Sequence, residues 1–79
     1  MYNKSAIAAN IKSARMYRNY SQEYLGIRLK ISQNAYSKIE LGLSNINLQR
    51  IFEIAEVFEV DVCDLIDTQK PLALKLSTN

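Results

Sequence analysis

The sequence predicts an all-α fold, a bundle of five short helices, and three observations favour it. Apolar residues recur at helical spacing in successive segments, as in Ile7, Ile11 and Ala14. Small polar residues that can cap a helix precede most of these segments. The single proline, Pro71, lies near the C-terminus, so no proline interrupts the helical segments before it.

Length and composition set the class of protein. A chain of 79 residues makes one domain with an economical core. Its 48% hydrophobic and 23% charged residues are close to the globular average. The chain has no apolar run that could span a membrane and no secretory signal near its start. We therefore expect a cytoplasmic protein with a folded domain over residues 1–67 and a C-terminal tail over 68–79.

Two counts exclude most catalytic chemistry. The chain has no histidine and a single cysteine, Cys63. It cannot build an imidazole-dependent nucleophile, a Cys/His zinc site or an intrachain disulfide. With only two glycines it also lacks a glycine-rich phosphate loop. We expect no enzyme activity, no cofactor and no metal.

Two helices are expected before residue 30. The first runs from about residue 3 or 5 to 17 and ends near Asn19, which tolerates a left-handed conformation. The second follows Ser21, whose hydroxyl can accept a hydrogen bond from the first turn. Gly26 lies in its middle, where glycine costs roughly 1 kcal/mol relative to alanine. The missing side chain indicates that another helix passes close by.

The third helix is expected over residues 32–40, with Ser32 as its cap and Gly42 as its C-terminal stop. Only Lys30 and Ile31 separate Ser32 from the second helix. So short a connection makes two helices cross steeply, at about 90–120°.

Two further helices and a tail complete the expected fold. The fourth helix, residues 48–58, has Asn47 as its cap and a wide apolar face made of Leu48, Ile51, Ile54, Ala55 and Phe58. The fifth, residues 62–66, has Asp61 as its cap. In the tail, Leu72, Leu74 and Leu76 alternate with other residues, which predicts a short C-terminal strand or an extended tail.

Charge is divided unevenly along the chain. Residues 1–50 carry eight basic and two acidic side chains, a net charge of +6. Residues 51–79 carry two basic and six acidic side chains, a net charge of −4. A basic half suits a polyanion such as nucleic acid, although solvated helix faces of opposite sign would give the same totals.

The outward face of the third helix carries hydrogen-bonding side chains and no carboxylate. It consists of Gln33, Asn34, Ser37 and Lys38. Asparagine and glutamine pair with adenine in the major groove of DNA, and lysine donates to guanine. These residue types fit a helix that reads bases, but an ordinary solvated face would look similar.

Fixed spacings extend this pattern over most of the chain. They connect Ile11, Arg15, Ser21, Gln22, Glu23, Leu25, Ile31, Ser32, Gln33, Ser37, Lys38, Ile39, Glu40 and Gly42, and continue through Asn45, Ile46, Leu48, Ile51, Ile54, Ala55, Phe58, Val60 and Leu65. The pattern resembles the Cro/repressor-type helix-turn-helix family, also called the XRE family, over about residues 7–66. The resemblance implies a five-helix bundle that binds double-stranded operator DNA as a symmetric homodimer and regulates transcription, as a repressor.

The resemblance also implies individual roles. Gln22 would bind a backbone phosphate and brace the third helix. Arg15 and Glu40 would form an ion pair between the first and third helices. The full set of expected DNA-binding positions is Gln22, Lys30, Ser32, Gln33, Asn34, Ser37, Lys38, Ser44 and Asn45, of which all but Lys30 follow from the resemblance.

The sequence departs from the family pattern in four places. Lys30 and Glu59 stand where glycine is usual, Gly26 replaces the usual alanine, and the apolar pair Leu41 and Leu43 stands where polar residues are common. A non-glycine residue in a left-handed conformation costs about 1 kcal/mol. We expect a slightly altered turn before the third helix, with Lys30 offsetting the cost by reaching a phosphate.

The dimer surface and a possible protein partner depend on apolar residues near the C-terminus. The candidates for a homodimer contact are Val57, Val62, Leu65, Ile66, Leu72, Leu74 and Leu76. An uncovered leucine row would promote aggregation, so the tail is expected either to pair with its counterpart or to fold onto the fifth helix. The apolar tail also leaves open an antitoxin-like module that neutralises a protein partner and binds DNA secondarily.

Overall fold

The computed structural model describes residues 4–67, and these form five helices. The helices are α1 (Lys4–Tyr17), α2 (Gln22–Leu29), α3 (Gln33–Glu40), α4 (Leu48–Phe58) and α5 (Val62–Ile66). The all-α prediction is confirmed. The expected strand or extended tail around Leu72–Leu76 lies outside the described residues. None of the helices within 4–67 is long and apolar enough to cross a membrane.

The core takes side chains from all five helices. Each of the five helices contributes at least one fully buried side chain. The largest are Ile11, Leu25, Tyr36, Ile54, Phe58 and Leu65. Half-buried residues, among them Tyr20 and Ile46, pack around this cluster. Burial of this apolar surface, at about 25 cal/mol per Å², is the main force that holds the short helices together.

Side-chain caps begin three of the helices where the sequence predicts them. The Ser21 and Ser32 hydroxyl oxygens each accept a hydrogen bond of 3.0 Å, from the backbone amides of Tyr24 and Ala35. Asn47 Oδ1 accepts one of 2.8 Å from the amide of Arg50. Asp61 occupies the cap position of α5, but its side chain makes no capping hydrogen bond. The expected role of that carboxylate as a cap is therefore wrong.

A tight turn sets α3 against α2. Lys30 adopts the left-handed conformation, with φ 61° and ψ 42°, where the family usually has glycine. A Cβ atom on Gly26 would lie 2.9 Å from the carbonyl oxygen of Ile31 and 3.3 Å from the amide of Gln33. The absent side chain thus lets the start of α3 approach the α2 backbone, as the position of Gly26 in its helix predicts.

A buried asparagine holds α5 against α1. Asn10 is only 7% exposed, and its Nδ2 donates to the carbonyl oxygens of Leu65 and Asp67 at 2.8 and 3.1 Å. These contacts satisfy carbonyl groups at the end of α5 that no helical partner can reach. Asn10 therefore fixes the end of α5 against α1.

Three apolar side chains show how far the core extends. Leu48 is 66% exposed, so the apolar face of α4 is not buried along its whole length. Val57 and Leu65, two of the residues expected at a homodimer contact, are 6% and 0% exposed and pack in the core of the described chain. Val57 lies three residues after Ile54 and shares its buried face, and Leu65 is the only fully buried side chain of the short α5.

Glu59 gives a test of the backbone geometry. It ends α4 in the left-handed conformation, with φ 58°. Because glycine adopts this conformation without a steric cost, we expect Glu59→Gly to raise the free energy of unfolding by about 1 kcal/mol. Urea unfolding followed by circular dichroism measures it.

The matched control for Glu59→Gly is Glu56→Gly, in the same helix with regular helical geometry. Glycine inside a helix costs about 1 kcal/mol, so the control should lower the free energy of unfolding. If both variants destabilised the protein equally, the left-handed end of α4 would be contradicted.

Candidate nucleic-acid interface

Helix α3 has one buried side and one solvent side. Tyr36 and Ile39 are 0% and 5% exposed and face the core. Gln33, Asn34 and Lys38 are exposed, and Ser37 is half-buried. The polar side chains that the sequence places on one outward face therefore do lie on the solvent side of α3.

Two further predicted residues flank the start of α3. Lys30 is exposed in the turn before it, and Ser32 is exposed at its cap position. The amides of the first helical turn have no partner within the helix, and the helix dipole adds positive potential there. The start of α3 thus combines a lysine with backbone amides, a combination that favours an anion such as a phosphate.

The loop between α3 and α4 lies beside the same helix. Ser44 and Asn45 line a shallow depression of about 220 Å³ together with Ala35 and Ile39 of α3. Ser44 is half-buried and Asn45 is exposed. The structure therefore places the two loop residues next to α3.

Two basic side chains that no motif singled out belong to this region. Lys4 Nζ donates to Asn45 Oδ1 at 3.0 Å and holds the start of α1 to the loop. Arg50 lines the depression and donates from Nη1 to the Leu29 carbonyl at 3.1 Å and to Glu53 Oε1 at 3.0 Å. In the sequence they appear only as part of the basic half, because each acts through a contact with a distant residue.

The carboxylate of Glu40 joins three helices at the end of α3. Arg15 of α1 donates from Nε to Oε2 at 2.6 Å and from Nη2 to Oε1 at 3.2 Å. The Arg15 and Glu40 side chains are 15% and 3% exposed. Arg15 Nη1 also donates to the Tyr20 carbonyl at 2.9 Å. The ion pair implied by the resemblance is present, with two parallel hydrogen bonds.

Gln22 belongs to this network rather than to the solvent alone. Its Nε2 donates to Glu40 Oε1 at 3.1 Å, and the residue is half-buried. A side-chain amide has two N–H donors, so a second one remains for a phosphate oxygen. Gln22 therefore braces α3 through Glu40, which fits the bracing part of its expected role.

The network changes the acidity of its members. Burial alone would raise the pKa of Glu40, but the hydrogen bonds from Arg15 and Gln22 outweigh it and hold the pKa below its ordinary value. Burial, together with the nearby Glu40 carboxylate, raises the pKa of Tyr36. The Tyr36 hydroxyl is buried beside this pair without a hydrogen-bond partner of good geometry. Glu40 is therefore a carboxylate, and Tyr36 neutral, throughout the physiological range.

Within residues 4–67, no group of three or more Cys, Asp and Glu side chains is placed to hold a metal ion. The side chains that α3 and the loop present are donors and amides, which suit phosphate oxygens and base edges.

Comparison with protein families decides the class. A helix-turn-helix family model matches residues 11–65, more than half of the chain. The chain belongs to this family. It is the Cro/C1-type, or XRE, helix-turn-helix family, whose members are DNA-binding proteins and not enzymes. Comparisons with curated proteins and with solved structures gave no match.

The acidity of Glu40 makes the stability of this helix-turn-helix protein depend on pH. Because the pKa of Glu40 is lower in the folded than in the unfolded state, its stabilising contribution is complete above the unfolded value. It disappears as the pH falls through the lower folded pKa. At pH 7 we expect Glu40→Gln to lower the free energy of unfolding by roughly 3 kcal/mol, since it leaves Arg15 without its charge partner.

Urea unfolding of both proteins between pH 7 and pH 3 measures this difference. The difference in the free energy of unfolding between the unsubstituted protein and Glu40→Gln should become smaller as the pH falls, because a protonated Glu40 resembles glutamine. The control is Glu53→Gln, whose side chain is 41% exposed and pairs with Arg50 at the surface. It should change stability by less than about 1 kcal/mol at every pH. A difference for Glu40→Gln that is independent of pH would contradict the ionised, buried carboxylate.

Proposed function

We propose that this helix-turn-helix protein is a transcriptional repressor of the cytoplasm that binds a two-fold symmetric DNA site as a homodimer. The observation that carries the proposal is the solvent face of α3. This face bears Gln33, Asn34 and Lys38, while Tyr36 and Ile39 on the opposite face fix the helix to the core. Occupation of a promoter by the dimer blocks transcription.

The bases are read from α3 in the major groove. A recognition helix presents its first residues to the base edges, and Gln33 and Asn34 are the first two residues of α3. Ser37 and Lys38 follow one turn later. Amide side chains favour adenine, and Lys38 favours guanine.

Phosphates on both sides of the groove set the register. On one side, Gln22 and Lys30 lie at the start and end of α2. On the other, Ser44 and Asn45 lie in the loop, where Lys4 Nζ donates to Asn45 Oδ1 and leaves Asn45 Nδ2 to donate. Ser32 caps α3 with its hydroxyl oxygen and offers the hydroxyl proton to a phosphate. Such contacts position the protein without reading sequence.

A dimer supplies a second copy of α3, which reads the second half-site of the DNA. One α3 contacts few base pairs, and two copies reading half-sites about 34 Å apart combine their affinities. Of the proposed contact residues, Val62 and Ile66 keep partial exposure within the described chain. Leu72, Leu74 and Leu76 lie outside it.

Selection from fragmented genomic DNA at two salt concentrations tests the proposal. We expect an approximately palindromic site that overlaps a promoter, with an affinity that falls steeply as salt rises. Recovery of unrelated fragments, with no common site, would contradict sequence-specific binding.

Alanine substitutions on α3 test which residues read bases. Gln33→Ala and Lys38→Ala should each reduce discrimination at one position of the site by roughly 1–3 kcal/mol. Competition binding with single-base variants of the selected site measures it. Gln49→Ala on α4 and Lys12→Ala on α1 are exposed, matched controls and should leave discrimination unchanged. Equal weakening for every base variant would contradict base reading by α3.

A further inference from the structure

An apolar groove opens on the side of the bundle where α5 ends. It has a volume of about 450 Å³, and its apolar wall consists of Ile7, Ile46, Leu48, Ile51 and Ile66. Lys4 and Asn45, joined by their hydrogen bond, form its polar edge. Leu48 is 66% exposed at this groove. Exposed apolar surface of this kind favours a binding partner.

The described part of the chain ends beside this groove. Ile66 is both the last residue of α5 and part of the groove wall. Asn10 lies one turn after Ile7 on α1. Its side-chain amide donates hydrogen bonds to the carbonyl oxygens of Leu65 and Asp67 and so fixes the position of the last described residues. Twelve residues follow Asp67. Leu72 is the fifth residue after Asp67, and an extended chain covers up to about 17 Å over those five steps.

The sequence after Asp67 carries apolar side chains that could pack against the apolar wall of the groove. Leu72, Leu74 and Leu76 alternate with Ala73 and Lys75, so an extended chain would present all three leucines on one side. A segment tethered by a short linker has an effective concentration in the millimolar range, above that of a second protein molecule. The covalent connection therefore favours the chain's own tail over any other occupant.

We propose that residues 72–76 dock in this groove of the same chain, with the leucine side chains against Ile51 and Ile66. Docking covers two apolar surfaces that would otherwise promote aggregation. It also supports the loop that carries Asn45, because Asn45 and Ile46 line the groove. The tail then holds the loop beside α3. The docked leucines and the Ile66 that they cover are removed from the candidate dimer contacts, which leaves Val62 as the partly exposed candidate of α5.

Nuclear Overhauser effects in the full-length protein test this docking. A sample prepared by unfolding and refolding labelled and unlabelled chains together separates contacts within one chain from contacts between chains. We expect effects between the methyl groups of Leu72 or Leu74 and those of Ile51 or Ile66, all within one chain. Effects between chains would show that the groove is occupied by the tail of a second copy. The absence of any effect would show that the tail does not occupy the groove. Either result overturns the proposal.

Charged substitutions give a second, independent measurement. Leu48→Asp at the groove and Leu74→Asp in the tail should each lower the Tm by roughly 4 °C, and the double variant should lose little more than either one. Phe52→Asp is the control, because Phe52 is 55% exposed on the same helix but does not line the groove. It should leave the contacts of the tail unchanged. Fully additive losses in the double variant would overturn the proposal.

Discussion

The carboxylate of Glu40 is the point on which the position of α3 depends. It is nearly inaccessible to solvent, and donors from Arg15 of α1 and Gln22 of α2 satisfy it. Replacing such a pair by apolar residues often costs nothing, whereas removing one partner leaves a charge that water cannot reach. The network therefore contributes geometry more than net stability. It fixes the C-terminal end of α3 relative to both helices that pack on it.

The other end of α3 is fixed by backbone geometry. Gly26 lets the chain after α2 approach within contact distance, and Lys30 makes the left-handed turn that starts this approach. Ser32 then satisfies an amide of the first turn of α3. With both ends held, the side chains of Gln33 and Lys38 extend from a rigid support, which reduces the conformational entropy lost on binding DNA.

Local patterns predicted the helices, their caps and the outward face of α3, because periodicity and capping depend on neighbouring residues. The family resemblance supplied the pairing of Arg15 with Glu40. What the sequence did not reveal depends on contacts between residues far apart in the chain. Asn10 is polar and would be expected at the surface, but α5 packs on it. From the sequence, Val57 and Leu65 were available for a homodimer contact, whereas both are buried in the core of the described chain.

Base reading by α3 can be followed at individual side chains. Side-chain amide resonances of Gln33 and Asn34, recorded by NMR during titration with the selected duplex, report whether α3, rather than another surface of the bundle, lies against the bases. Gln49 on α4 is an internal reference in the same spectrum. If α3 reads the bases as proposed, the amide protons of Gln33 and Asn34 shift and show contacts to base protons, while those of Gln49 stay unchanged. Shifts at Gln49 with Gln33 and Asn34 unaffected would contradict base reading by α3.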